Sequence, residues 1–287
     1  MLNIYDFVVQ NNNLYKKFEV DDLLFIEYRC LFPDDTIAYW TSSNYFLYIL
    51  GGRKKWITAK DEYTIYDGEA IFVKKGAYTA QKFYDDDFCA LAIFVPDDFI
   101  RNVINKYASI FPEKKLDQDG SDSIIPITMD QSFATYFQSV LSYFPNAVAP
   151  PKELLTIKFE ELILNILASP GNNELASHFY GIQDTGKISV REIMENNFMY
   201  NMSLDEYARL CARSLTSFKI DFFETYRTSP GKWLTTKRLE YAKLLIETTH
   251  HSVADIAVKS GFKNTSHFVR IFKETYGKPP LQHRLLV

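Results

Sequence analysis

Two hydrophobic periods divide this chain. Up to about residue 95, short runs rich in Phe, Tyr, Ile and Val alternate with turn signals, which predicts β-strands. The predicted strands are Asp22–Leu31, Tyr45–Leu50, Lys54–Ala59, Glu62–Tyr66, Ala70–Lys74, Thr79–Tyr84 and Phe88–Val95, with Gly51-Gly52 and Asp67-Gly68 as turns. Short strands without intervening helices predict a sandwich or small barrel. From Pro96 the period becomes helical: Asp97–Phe111, Asp130–Phe144 and Pro151–Ala168 predict amphipathic helices, and Pro112–Ile127 a polar loop. Pro151–Ala168 carries Leu154, Leu155, Ile157, Phe159, Leu162, Ile163, Ile166 and Leu167, more apolar surface than one face needs. Packing against the strands or self-association would absorb the surplus. Ser169–Asn173 and Gly181–Lys187 break the pattern and predict a linker at 171–187, between a domain over 1–170 and another over 188–287.

The last third says the same thing twice. Thr216–Pro230 aligns with Ser266–Pro280 at an offset of 50, pairing Phe218 with Phe268, Phe222 with Phe272 and Tyr226 with Tyr276. Ser203–Ala208 aligns with Ser252–Ala257 at an offset of 49, so one residue has entered the turn between. Each copy predicts a serine-capped helix, a tight turn and a second helix capped by Ser214 or Asn264. A duplicated structural hairpin would share this pattern; the outward faces decide. With the Phe pairs inside and Leu215 and Thr265 near that face, Thr216, Ile220 and Phe223 face outward in copy one. Ser266, Arg270 and Lys273 do so in copy two, with Lys219 and Val269 on the flanks. Small hydroxyls followed by Arg suit a helix that reads a DNA groove.

Charge agrees with a polyanion partner for that third. Residues 188–287 hold 15 Lys and Arg against 10 Asp and Glu, a net +5, whereas residues 1–187 carry a net -9. Cys30, Cys89 and Cys211 lack motif spacing and read as buried free thiols of a reducing compartment. The N-terminus lacks a basic stretch and no apolar run reaches membrane-spanning length, so a soluble cytoplasmic chain with no membrane partner is expected.

Residues from about Ile188 onward resemble the DNA-binding domain of the AraC family of bacterial transcription regulators. The resemblance rests on Ser229–Leu234 (SPGKWL), Lys237–Leu245 (KRLEYAKLL), Ser252–Ala257 (SVADIA), Ser260–Phe262 (SGF), His267–Lys273 (HFVRIFK) and Tyr276–Pro280 (YGKPP). It implies two helix-turn-helix units joined by a long helix, for which Pro230 to about Thr248 is available, facing adjacent major grooves. Double-stranded DNA, RNA polymerase, a second copy of the chain as homodimer, and a small-molecule or protein effector at the N-terminal domain are the implied partners, and an activator the implied role. Expected DNA-binding residues are Thr216, Ser217, Lys219 and Ile220 in the first unit, and Thr265, Ser266, His267, Val269 and Arg270 in the second. Arg270 is the expected guanine contact.

Gly68–Thr79 (GEAIFVKKGAYT) resembles a degenerate cupin motif, with Lys74 in place of its Pro, Gly76 kept, and Thr79 where the metal-binding His would stand. The expected fold class is therefore a cupin-like all-β barrel followed by helices, then an all-α domain. No histidine precedes His178, so no metal, cofactor or catalytic residue is expected. Aromatic residues including Tyr39, Tyr45, Trp56 and Tyr78 read as core before ligand cavity, Arg53-Lys54-Lys55 as a solvated hairpin tip before an anionic effector contact, and Asp85-Asp86-Asp87 as a solvated turn. A protein-interaction scaffold with weakened DNA binding is the alternative, and a cupin-type enzyme the more remote one.

Overall fold

The computed structural model describes residues 1–11, 14–29, 36–58, 61–83, 87–111, 122–146, 149–184 and 188–285. Cys30 and Asp85-Asp86 lie outside the described residues. The chain divides into two compact units, Leu2–Lys187, and Ile188–Val287 together with Met1.

The first unit begins with β1 (Leu2–Asn3), α1 (Ile4–Gln10), β2 (Lys16–Val20), β3 (Leu23–Arg29), β4 (Thr36–Thr41) and β5 (Asn44–Gly51). β6 (Arg53–Ile57), β7 (Glu62–Tyr66), β8 (Ala70–Val73), β9 (Gly76–Lys82) and β10 (Cys89–Val95) follow, then α2 (Asp97–Lys106), β11 (Ile124–Ile127), α3 (Gln131–Leu141), α4 (Lys152–Ala168) and α5 (Asn173–Asp184). Among the described residues one sheet runs β1-β4-β9-β6-β7 and the other β11-β8-β5-β10-β3-β2. All pairings are antiparallel except β1 beside β4.

Alternation along the strands gives each face of the second sheet its own core. Leu24, Ile26, Leu47, Ile71, Val73, Ala92 and Phe94 join the first sheet's residues in one cluster. Leu23, Phe25, Phe46, Phe72, Leu91 and Ile93 pack with α2 to α5 in another, where Phe25 stacks on Phe159 at 4.0 Å between centroids. A sheet covered on both sides needs apolar residues at every position, hence the near-continuous runs in the sequence.

Several segments depart from the expected pattern, among them α1, a helix ahead of the first predicted strand. β2 and β4 fall where no strand is predicted, and β11 crosses the predicted loop at 112–127. β11 contains Pro126, which a sheet edge tolerates because no neighbour there requires its missing N–H. The expected linker at 171–187 is corrected over Asn173–Asp184, which form α5. Leu175, Phe179 and Tyr180 of that helix are buried in the helical layer's core, so the segment is bound by apolar burial despite its Asn and Gly content.

The Arg53-Lys54-Lys55 expectation is also corrected. The three residues begin β6, and the strand's alternation turns Lys54 and Trp56 inward, 4% and 2% exposed. The Lys54 ammonium lies 5.2 Å from the ring of Tyr28, 5.7 Å from Trp56 and 5.0 Å from Phe88, close enough for cation–π attraction. These side chains line a pocket between the sheets that is partly open to solvent. Tyr39, Tyr45 and Phe94 complete its aromatic wall. Trp56 Nε1 donates to Tyr39 Oη at 2.8 Å, and the Tyr39 and Tyr45 hydroxyls share a hydrogen bond of 2.7 Å. Burial pushes the Tyr45 phenol far above its ordinary value, so it stays neutral.

The second unit is helical: α6 (Val190–Asn197), α7 (Leu204–Leu210), α8 (Leu215–Tyr226), α9 (Pro230–Thr248), α10 (Val253–Lys259), α11 (Thr265–Tyr276) and α12 (Pro280–Arg284). No described helix is long and apolar enough to cross a membrane.

Candidate nucleic-acid interface

The sequence repeat is a repeat of geometry. Ser203 Oγ accepts from Glu206 N at 3.3 Å to start α7, and Ser252 Oγ accepts from Asp255 N at 3.1 Å to start α10. The turns then close with equivalent bonds, Arg213 N to Ala208 O and Phe262 N to Ala257 O, both 2.9 Å. Ala212 and Gly261 take the left-handed conformation these turns require, at φ 51° and 82°. Ser214 and Asn264 cap the second helices, accepting from Ser217 N at 3.2 Å and His267 N at 3.0 Å. Both helices end on a left-handed residue, Arg227 and Gly277.

Phe218, Phe222, Phe268 and Phe272 are each fully buried, worth about 1.5–3 kcal/mol apiece. In the first unit Phe222 lies 4.7 Å from Tyr226 and 5.9 Å from Trp233. In the second, Phe272 lies 4.7 Å from Tyr276 and 5.6 Å from His283, whose Nε2 is 2.9 Å from Glu247 Oε1. The same aromatic clamp therefore fixes both α8 and α11, one against the start of α9 and the other against α12. Arg238, midway along α9, donates to Phe198 O and Tyr200 O at 2.7 Å each, satisfying carbonyls just beyond α6.

With one face of each helix committed to the core, the other is free. Thr216, Ser217, Lys219 and Ile220 on α8 are exposed, as are Ser266, His267 and Arg270 on α11. Thr265 and Val269 are half-buried, Val269 packed against the core around Phe268. Phe223 and Lys273 extend the two outward faces by a turn. Neither stands among the expected DNA-binding residues, although helical spacing already places both outward. Arg270 is 2.8 Å from Glu274 Oε1 and 3.2 Å from His267 Nδ1, so its guanidinium is held along the helix surface. On α8, Asp221 is paired with Arg213, which removes one bare negative charge from the helix flank.

A hydroxyl-lined, N-capped helix start presents backbone N–H groups and positive dipole to anionic oxygen, and Lys219 adds a cation. Arg270 offers a planar fork that matches a guanine edge. Among the described residues, no group of three or more His, Cys, Asp or Glu side chains is placed to hold a metal ion.

Comparison with known proteins agrees with this geometry. Residues 207–285 match the model of a helix-turn-helix domain, and residues 44–178 match that of the ExsA N-terminal regulatory domain. The chain is 25% identical over 240 residues to the virulence regulon transcriptional activator VirF of Yersinia enterocolitica, covering 83% of this chain and 88% of that protein. It is 24% identical over 217 residues to the HTH-type transcriptional regulator ExsA of Pseudomonas aeruginosa, covering 76% and 77%. Among solved structures, ToxT from Vibrio cholerae aligns over 92% of this chain and 98% of its own, at 16% identity and a TM-score of 0.43. The chain thus carries a helix-turn-helix domain of the AraC type behind an ExsA-type N-terminal regulatory domain, the make-up of a DNA-binding transcription regulator.

Proposed function

We propose that the chain activates transcription by laying α8 and α11 in successive major grooves, reading sequence mainly through α11 and anchoring through both. The observation that carries this reading is the exposure of equivalent faces on two N-capped helices, built by one repeated unit within a basic stretch of the chain. Arg270 bridges O6 and N7 of a guanine, with Thr265, Ser266, His267 and Val269 around it. Thr216, Ser217 and Lys219 hold phosphates beside α8, and Ile220 faces the bases. Relatives named as transcriptional activators support the activating sense, in which the protein works beside RNA polymerase.

The first unit governs this activity. Leu154 and Ile157 of α4 are 38% and 57% exposed beside a fully packed opposite face, which supports a homodimer joined there. The largely apolar, aromatic pocket between the sheets supports a small-molecule effector with an apolar body.

A gel shift with duplex from upstream of the protein's own gene tests the reading. A complex that survives excess unrelated DNA, weakening steeply with salt, is expected. Binding no tighter than to unrelated duplex overturns it in favour of a protein-interaction scaffold.

A further inference from the structure

The two outward faces are chemically unlike. At about 100° per residue, Thr216, Ile220 and Phe223 fall within about 60° of arc on α8. Ile220 is 56% exposed and Phe223 55%, both with most of their apolar surface in solvent. The equivalent positions on α11 are Ser266, Arg270 and Lys273, all polar. Core packing does not account for Ile220 and Phe223, because Phe218 and Phe222 already fill the buried side of the same helix. The cap, turn and C-terminal geometry of α8 nonetheless match those of α11, so its outward face is offered in the same way.

We infer that α8 reads sequence by apolar contact, Ile220 and Phe223 packing against the 5-methyl groups of thymines in its half-site. This rests on the DNA-binding reading above. The major groove presents one apolar group among the four bases, the thymine methyl, and neither side chain donates or accepts a hydrogen bond. Charge fits this occupant. Lys219 lies beside the apolar stripe, Asp221 is neutralised by Arg213, and the unit as a whole is basic. The protein then selects a composite site, with a thymine-bearing half under α8 and a guanine under Arg270.

The test uses the full-length protein and duplexes selected by it from a random-sequence pool. Each thymine of the selected site is replaced singly by deoxyuridine, which deletes the methyl and keeps every hydrogen-bonding group. The half-site under α11 is identified as the one whose base preference relaxes in Arg270→Ala. Replacements in the other half should weaken binding about fourfold for each contacted methyl. Ile220→Ala with Phe223→Ala should abolish that sensitivity while Arg270→Ala leaves it intact. Full-strength binding to an all-deoxyuridine duplex overturns the inference, whatever the protein variants do. So does a double variant that keeps its methyl sensitivity yet fails to activate, since the apolar pair then faces a protein. Failure to select any sequence is a different result and sinks the DNA-binding reading itself.

Discussion

Ala212 and Gly261 hold the same left-handed position in the two helix-turn-helix turns, but Ala212 is exposed whereas Gly261 is pressed against a neighbouring backbone. A Cβ there would lie 2.7 Å from Met199 O and 2.8 Å from Arg238 Nε. Gly261→Ala is therefore expected to destabilise the second unit by about 2–4 kcal/mol, combining left-handed strain with displacement of the Met199 carbonyl. Ala212→Gly and Arg227→Gly, which relieve strain without creating a gap, should change stability by between zero and about +1 kcal/mol. Calorimetry of the second unit's transition checks the order. A Gly261→Ala protein as stable as the parent would refute the account.

Arg270→Ala should cost about 1–3 kcal/mol in DNA binding and relax preference at one base pair. Ile220→Ala should cost less. Glu274 competes for the guanidinium in the free protein through a pair that is 61% and 59% exposed, a cheap contact to break. Glu274→Gln should accordingly tighten binding modestly, most visibly at low salt. Titration of single-base operator variants at fixed salt decides both points.

Acid should loosen the first unit through His178. Its Nε2 is buried with no hydrogen-bond partner among the described residues and its ring sits 5.6 Å from Phe72, while burial first, and Lys74 and Lys75 next, push its pKa well below 6.5. The unfolded chain then takes up a proton that the folded unit refuses. Stability from this source is complete above about pH 6.5 and is lost progressively as pH falls below it. His178→Phe should flatten the slope of unfolding midpoint between about pH 7.5 and 5. An unchanged slope in that variant would assign the effect elsewhere.

Ile157→Lys on α4 should leave folding intact, because the side chain is already 57% exposed, and should halve the mass seen by light scattering. The same variant should bind DNA more weakly, since a joined pair binds its second site intramolecularly. A parent chain that is monomeric at micromolar concentration removes the basis for this expectation.

What the sequence revealed depended on how many positions carried each signal. α9 runs Pro230–Thr248, the span available in the sequence for a joining helix, because Pro at its start and a repeat on either side mark both ends. The caps Ser214 and Asn264 and the outward Arg270 were legible for the same reason. Lys54 was not, because three consecutive basic residues outweigh the period-two evidence that puts it in line with Trp56. α5 was hidden by Asn172-Asn173 and Gly181, turn formers that tertiary burial of Leu175 and Phe179 overrides. β11 was hidden by Pro126, whose tolerance depends on a sheet edge that no local pattern discloses.

The continuous 19-residue α9 has a mechanical corollary. Such a helix is about 28 Å long, and it is seated at one end by Trp233 against Phe222 and at the other by Glu247 against His283. It acts as a stiff gauge, so the compliance in any complex lies in the duplex. One base pair added between the half-sites would advance the second groove by about 3.4 Å and rotate it by about 35°, out of phase with α11. The bases between the half-sites, touched by neither helix, then matter through how readily they twist back.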